Sequence, residues 1–133
     1  PVLADDPAIK FLTFGVNIPI IESLFFLSFV LLFWAKLLGV PIRWHNVGSP
    51  YFLKILGVCV LVGASGMLFH LTARSLNDVA LGIDVLFFSV SAFIVFASAS
   101  RIPLIGGDGK VNMFKGALFH IFVNSLVLVV GGA

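Results

Sequence analysis

Four long apolar stretches constrain this chain more than any other feature. They run from about Ile18 to Val40, Tyr51 to Thr72, Val79 to Ser100 and Asn112 to Val130. About 20 helical residues, at 1.5 Å each, cross the ~30 Å hydrocarbon layer of a bilayer. In lipid the backbone can satisfy its polar groups only internally, so such stretches must be helical. The pattern predicts an all-α integral membrane protein: one domain over residues 1–133, with four transmembrane helices in an up-down bundle. The links are short, which makes sequential helices antiparallel neighbours. Asn17 with Pro19 reads as a cap and first-turn proline for the first span, and Asn77 with Asp78 as caps for the third.

Composition agrees. The chain is 60% hydrophobic and 11% charged, against about 25% charged in soluble domains. Its mean hydropathy is +1.18. The net charge of +2 with no basic cluster gives no nucleic-acid partner. Cys59, the single cysteine, excludes an intrachain disulfide and reads as a small buried hydrophobe. No charged segment with a short apolar core precedes the first span, so no retained signal peptide is expected.

Lys36, Arg43 and Lys54 flank the first link, and Arg101, Lys110 and Lys115 flank the third. Lys10 and Arg74 stand on the other side. The positive-inside rule then places links 41–50 and 101–111 in the cytoplasm and both chain ends outside. Trp34 and Trp44 fall near the inner interface, where indoles are favoured.

Within this frame a hexapeptide repeats. Ile21-Glu22-Ser23-Leu24-Phe25-Phe26 is echoed by Ile83-Asp84-Val85-Leu86-Phe87-Phe88, and the alignment continues without a gap to Val40-Pro41-Ile42 and Ile102-Pro103-Leu104. Two hairpins of the same orientation would form a parallel internal repeat about an axis along the membrane normal. In a chain with 15 Phe, short apolar matches also arise by chance.

The echo puts an acid at matched positions of two apolar spans, where a charge is costly. Glu22 and Asp84 are expected about 6 Å below the outer helix ends, with His70 in the same layer. Three readings follow. The acids face the positive ends of their helix dipoles near headgroup water. Or they form a structural network with His70 and Arg74. Or Glu22, His70 and Asp84 bind a metal ion or handle protons, since an imidazole and two carboxylates suit a first-row metal.

A second echo pairs Gly66-Met67-Leu68-Phe69-His70 with Gly116-Ala117-Leu118-Phe119-His120. A glycine one turn before a histidine leaves room for a flat group beside the ring. His70 and His120 are therefore candidate ligands to a haem or chlorophyll. Counted from their span starts, the two lie roughly 16 Å apart along the normal, which argues against one shared haem. The plainer reading of His120 is a neutral interior histidine bonded to Ser28, Ser89, Ser91 or Asn124. His45, beside Trp44, reads as interfacial. The turn Gly106-Gly107-Asp108-Gly109 lacks the further acids of a calcium loop.

No phosphate loop, HExxH or nucleophile elbow is present. The leading expectation is a small polytopic subunit of a larger membrane complex, with a mainly structural or assembly role and no catalysis of its own. Its partners would be other membrane subunits and lipids. The alternatives are a metal- or cofactor-binding redox subunit, and a small transporter or proton-pathway protein.

Overall fold

The computed structural model describes residues 6–73, 78–100 and 109–130, with side chains omitted at 73, 78–81 and 128. Arg74, Arg101 and the Gly106–Asp108 turn lie outside the described residues. The rest forms four helices and no strand: α1 (Pro7–Leu37), α2 (Phe52–Ala73), α3 (Asp78–Ala97) and α4 (Met113–Val130). The helical-bundle expectation holds. Two segments, Pro7–Leu37 and Phe52–Thr72, are long and apolar enough to cross a membrane; the apolar runs Gly82–Ala97 and Met113–Val127 are shorter.

α1 differs from the expected first helix. It begins at Pro7 rather than Ile18, because Asp6 is the N-cap: its Oδ1 accepts from the Ala8 N–H at 2.9 Å. Asn17 has helical φ and ψ and caps nothing. Two wide-turn π-helical stretches, Phe11–Asn17 and Phe25–Val30, bracket the α-helical segment Ile18–Leu24. In the first, the Ile18 N–H reaches back five residues to Thr13 O. In that register Pro19, which has no N–H, would have served Phe14 O. Asn124 of α4 donates there instead, from Nδ2 at 3.2 Å. A proline within a long helix is thus accommodated by a donor from its neighbour.

α1 ends at Leu37, before the expected Val40, for a local reason. Gly39 takes φ 68°, Gly39 N–H donates to Lys36 O at 3.2 Å and Val40 N–H donates to Ala35 O at 2.8 Å. This is the Schellman arrangement, in which glycine supplies the left-handed residue. α4 opens on Asn112, whose Oδ1 accepts from the Phe114 N–H at 2.9 Å.

α1 packs through its first half on α4 and through its second half on α2; α3 lies against both α2 and α4. The core fills the half of the bundle nearest the 38–51 link. Ile55, Val58, Cys59 and Val62 on α2 and Phe88, Ala92, Val95 and Phe96 on α3 recur at helical spacing and meet Leu27 and Leu31 of α1. Cys59 is buried there, as expected. A Cβ on Gly63 would collide with Val85 O and Ser89 Oγ of α3. Trp34 Nε1 donates to Ser65 Oγ at 3.1 Å, tying α1 to α2. The link folds back over the bundle end: Trp44 packs edge-on against Phe52 and Phe93. His45 is buried there against Tyr51, 6% exposed.

Candidate functional site

At the closed end of the apolar core, one residue from each helix converges. Glu22 comes from the middle of α1, His70 from the last turn of α2, Asp84 from the first half of α3 and His120 from α4. His70 Nδ1 lies 2.9 Å from Asp84 Oδ2. His70 Nε2 lies 3.6 Å from Glu22 Oε2, and His120 Nε2 lies 3.7 Å from that same oxygen. His120 Nδ1 is 3.1 Å from Ser23 Oγ. The two carboxylates and His70 keep a small share of exposure, while His120 is 2% exposed. The matched acids of the repeat thus meet the same imidazole from opposite ring nitrogens.

The expected 16 Å offset between the histidines is corrected. Both Nε2 atoms face one oxygen, so they are no farther apart than the 3.6 and 3.7 Å legs laid end to end. That offset would hold if all spans started at one level, whereas the helices are staggered. His70 stands one turn from the end of α2, but α4 continues to Val130, almost three turns past His120. Glu22 lies midway between Pro7 and Leu37 rather than one turn inside the helix. The first half of α1 and the second half of α4 extend together past the α2–α3 hairpin, and the polar layer sits where that hairpin ends.

The partner of His120 is Ser23, which the sequence reading did not single out. The expected candidates are otherwise engaged or placed. Ser28 Oγ donates back to Leu24 O, Ser91 Oγ to Phe87 O at 2.9 Å, and Asn124 to Phe14 O. Ser89 packs against Gly63. The available signal was the one polar mismatch within the two hexapeptides, where Ser23 stands opposite Val85.

Aromatic rings fix the layer. Phe87 meets the His120 ring edge-on at 4.6 Å, and Phe88 lies 5.5 Å from His120 and 5.6 Å from His70. Phe26, the repeat mate of Phe88, packs on it at 5.1 Å. These two rings floor the polar layer. The glycines explain the close approach. A Cβ on Gly66 would strike the Phe88 ring, and one on Gly116 would come within 2.9 Å of Ser91 O. The glycine before each histidine thus admits α3 rather than a flat cofactor.

The layer opens into a pocket of about 310 Å³, walled by Phe14, Phe69 and Phe87 and ending on Glu22, His70, Asp84, His120 and Asn124. It could orient a ligand, share protons or, after side-chain adjustment, ligate an ion. As the side chains stand, no three His, Cys, Asp or Glu among the described residues surround one point as a bound ion requires.

Fold and site together define a small all-helical bundle with an aromatic-floored histidine–carboxylate layer. No protein family, curated protein or solved structure matches the chain.

Proposed function

We propose that this chain is a four-span integral membrane subunit of a larger membrane complex. The observation that carries the reading is the apolar exterior. Every helix turns large apolar side chains outward, with Phe29 73%, Leu53 78%, Leu86 65% and Phe122 64% exposed. A soluble monomer rarely shows such contiguous apolar surface. Lys36, Arg43, Lys54 and Lys115 belong to the end of the bundle that holds the 38–51 link, and the positive-inside rule supports reading that end as cytoplasmic and the opposite end as external. Purification in a mild detergent tests the assignment. Co-migration with other membrane proteins is expected; a monodisperse, fully active monomer would defeat it.

A second reading is favoured by one observation, the meeting of Glu22, His70, Asp84 and His120 beside a pocket. Intramembrane ionisable groups are costly and mark functional positions. On this reading the subunit also binds an ion or cofactor. A shared haem fits poorly, because Glu22 Oε2 stands within 3.6 and 3.7 Å of both Nε2 atoms, where the porphyrin plane would pass. An optical spectrum of the native preparation checks this: no Soret band is expected.

A further inference from the structure

The two imidazoles are held in the same manner. Each is tied at Nδ1 and turns Nε2 toward one carboxylate oxygen. Asp84 Oδ2, 2.9 Å from His70 Nδ1, can accept a proton from that nitrogen, and a neutral ring held this way carries its lone pair on Nε2. Ser23 Oγ, 3.1 Å from His120 Nδ1, can do the same for the second ring. Such outer partners fix the tautomer and orientation of metal-bound histidines. The gaps to Glu22, 3.6 and 3.7 Å, exceed hydrogen bonds, which run to about 3.2 Å. They come close to the spacing of two atoms bonded to one ion, roughly 3–3.4 Å for bonds of about 2.0–2.1 Å.

We propose that Glu22, His70 and His120 bind one divalent first-row transition metal ion, with Asp84 and Ser23 as positioning residues behind the two rings. The proposal rests on the second reading above and redistributes its residues: His120 joins the ligands and Asp84 steps back. Two imidazoles and one carboxylate suit such a metal, whereas calcium and magnesium prefer all-oxygen sites. The three ligands come from three helices and the pocket adjoins them, leaving positions for a further ligand. Closing the sphere takes a turn of the Glu22 side chain, the longest and most flexible of the three; rotamer changes of that size commonly accompany binding.

The full chain in mild detergent, stripped with chelator, should be titrated with Co2+ and then Zn2+. One equivalent of Co2+ per chain with visible d–d bands is expected, displaced by Zn2+, together with a rise in Tm. Glu22→Gln and His120→Ala should each weaken Co2+ binding by more than about 100-fold. Asp84→Asn and Ser23→Ala should weaken it about 10–100-fold while leaving the band positions unchanged, since the ligand set is intact. Circular dichroism establishes that each variant is folded, and His120→Asn replaces His120→Ala should the latter fail that check. A folded chain without cobalt bands, or one whose binding survives both Glu22→Gln and His120→Ala, overturns the proposal. A non-metal adduct retained in native mass spectrometry, with no cobalt bands, overturns the ion alone and leaves the pocket as a binding site.

Discussion

The halves of this bundle on either side of Phe26 and Phe88 are built on different terms. Toward the 38–51 link, helices meet through shape. Ile55, Val58 and Val62 are fully buried against Leu31, Val95 and Phe96, and Gly63 and Gly116 bring α3 close. On the other side, cohesion depends on a few polar contacts, His70 to Asp84, His120 to Ser23 and Asn124 to Phe14 O. In the membrane setting proposed above, packing rather than water exclusion would drive helix association, and polar contacts would add only modestly. The first half therefore accounts for most of the stability. The second half holds ionisable groups at a cost that packing alone would not impose, which is the physical reason for reading it as functional.

Phe88 joins the halves, so its loss should have the largest effect. It is fully buried and touches Phe26, His70 and His120. Phe88→Ala should destabilise by about 3–5 kcal/mol through the cavity it leaves, read as the midpoint of unfolding in mixed detergent micelles. A shift under about 1 kcal/mol would mean that the two halves do not share this ring.

Gly116→Val comes next and tests the shape-built half. Its Cβ would fall 2.7 Å from Leu27 Cδ1, 2.8 Å from Val95 Cγ2 and 2.9 Å from Ser91 O. Two of these are side chains that can shift, but the third is backbone. A cost of about 1–3 kcal/mol is expected from overpacking, with the His120 ring displaced because it lies one turn on. An unchanged midpoint would show that α3 and α4 are not held this close.

What could be read beforehand divides along the same line. The bundle and its apolar faces were legible, since they follow from helical spacing in α2 and α3. The repeat set Glu22 and Asp84 at matching positions with His70 in the same layer, but left open whether they converge on it or face the headgroups. The levels of the helices were not legible. Nothing local in the sequence states that α1 begins at Pro7 or that α4 overshoots α2, and the supposed distance between His70 and His120 failed for that reason. The π-helical stretches on either side of Ile18–Leu24 were equally hidden. They depend on tertiary support such as Asn124, and π turns often mark functional sites. Gly39 was a readable stop signal that the length of the apolar run obscured.

Asn124 and Pro19 allow the polar half to be tested for coupling. Asn124→Leu removes the donor to Phe14 O and should cost about 0.6 kcal/mol, at most about 1.7. Restoring a backbone N–H with Pro19→Ala should reduce that cost, because residue 19 could then serve the same carbonyl. A double-mutant cycle in the micelle assay measures this. Strict additivity would separate the proline from the amide and leave the π-helical register of α1 without its explanation.

The smallest effect should come from the exterior. Phe29 is 73% exposed, so Phe29→Ala removes a large ring while touching neither half of the interior. In the isolated bundle the midpoint should move by less than about 0.5 kcal/mol, as for substitutions away from packed features. The same variant bears on the proposed assembly. A ring that faces lipid can be truncated in the native membrane without consequence, whereas one that packs against another subunit leaves a gap at that contact. Measuring Phe29→Ala both as isolated bundle stability and as recovery of co-migrating proteins after mild solubilisation separates these cases. An isolated bundle unaffected by the change, with partners lost, would place the α1 face around Phe29 at a subunit contact. Partners retained in full would assign that face to lipid and move the search for the contact to the exposed faces of α2 and α3.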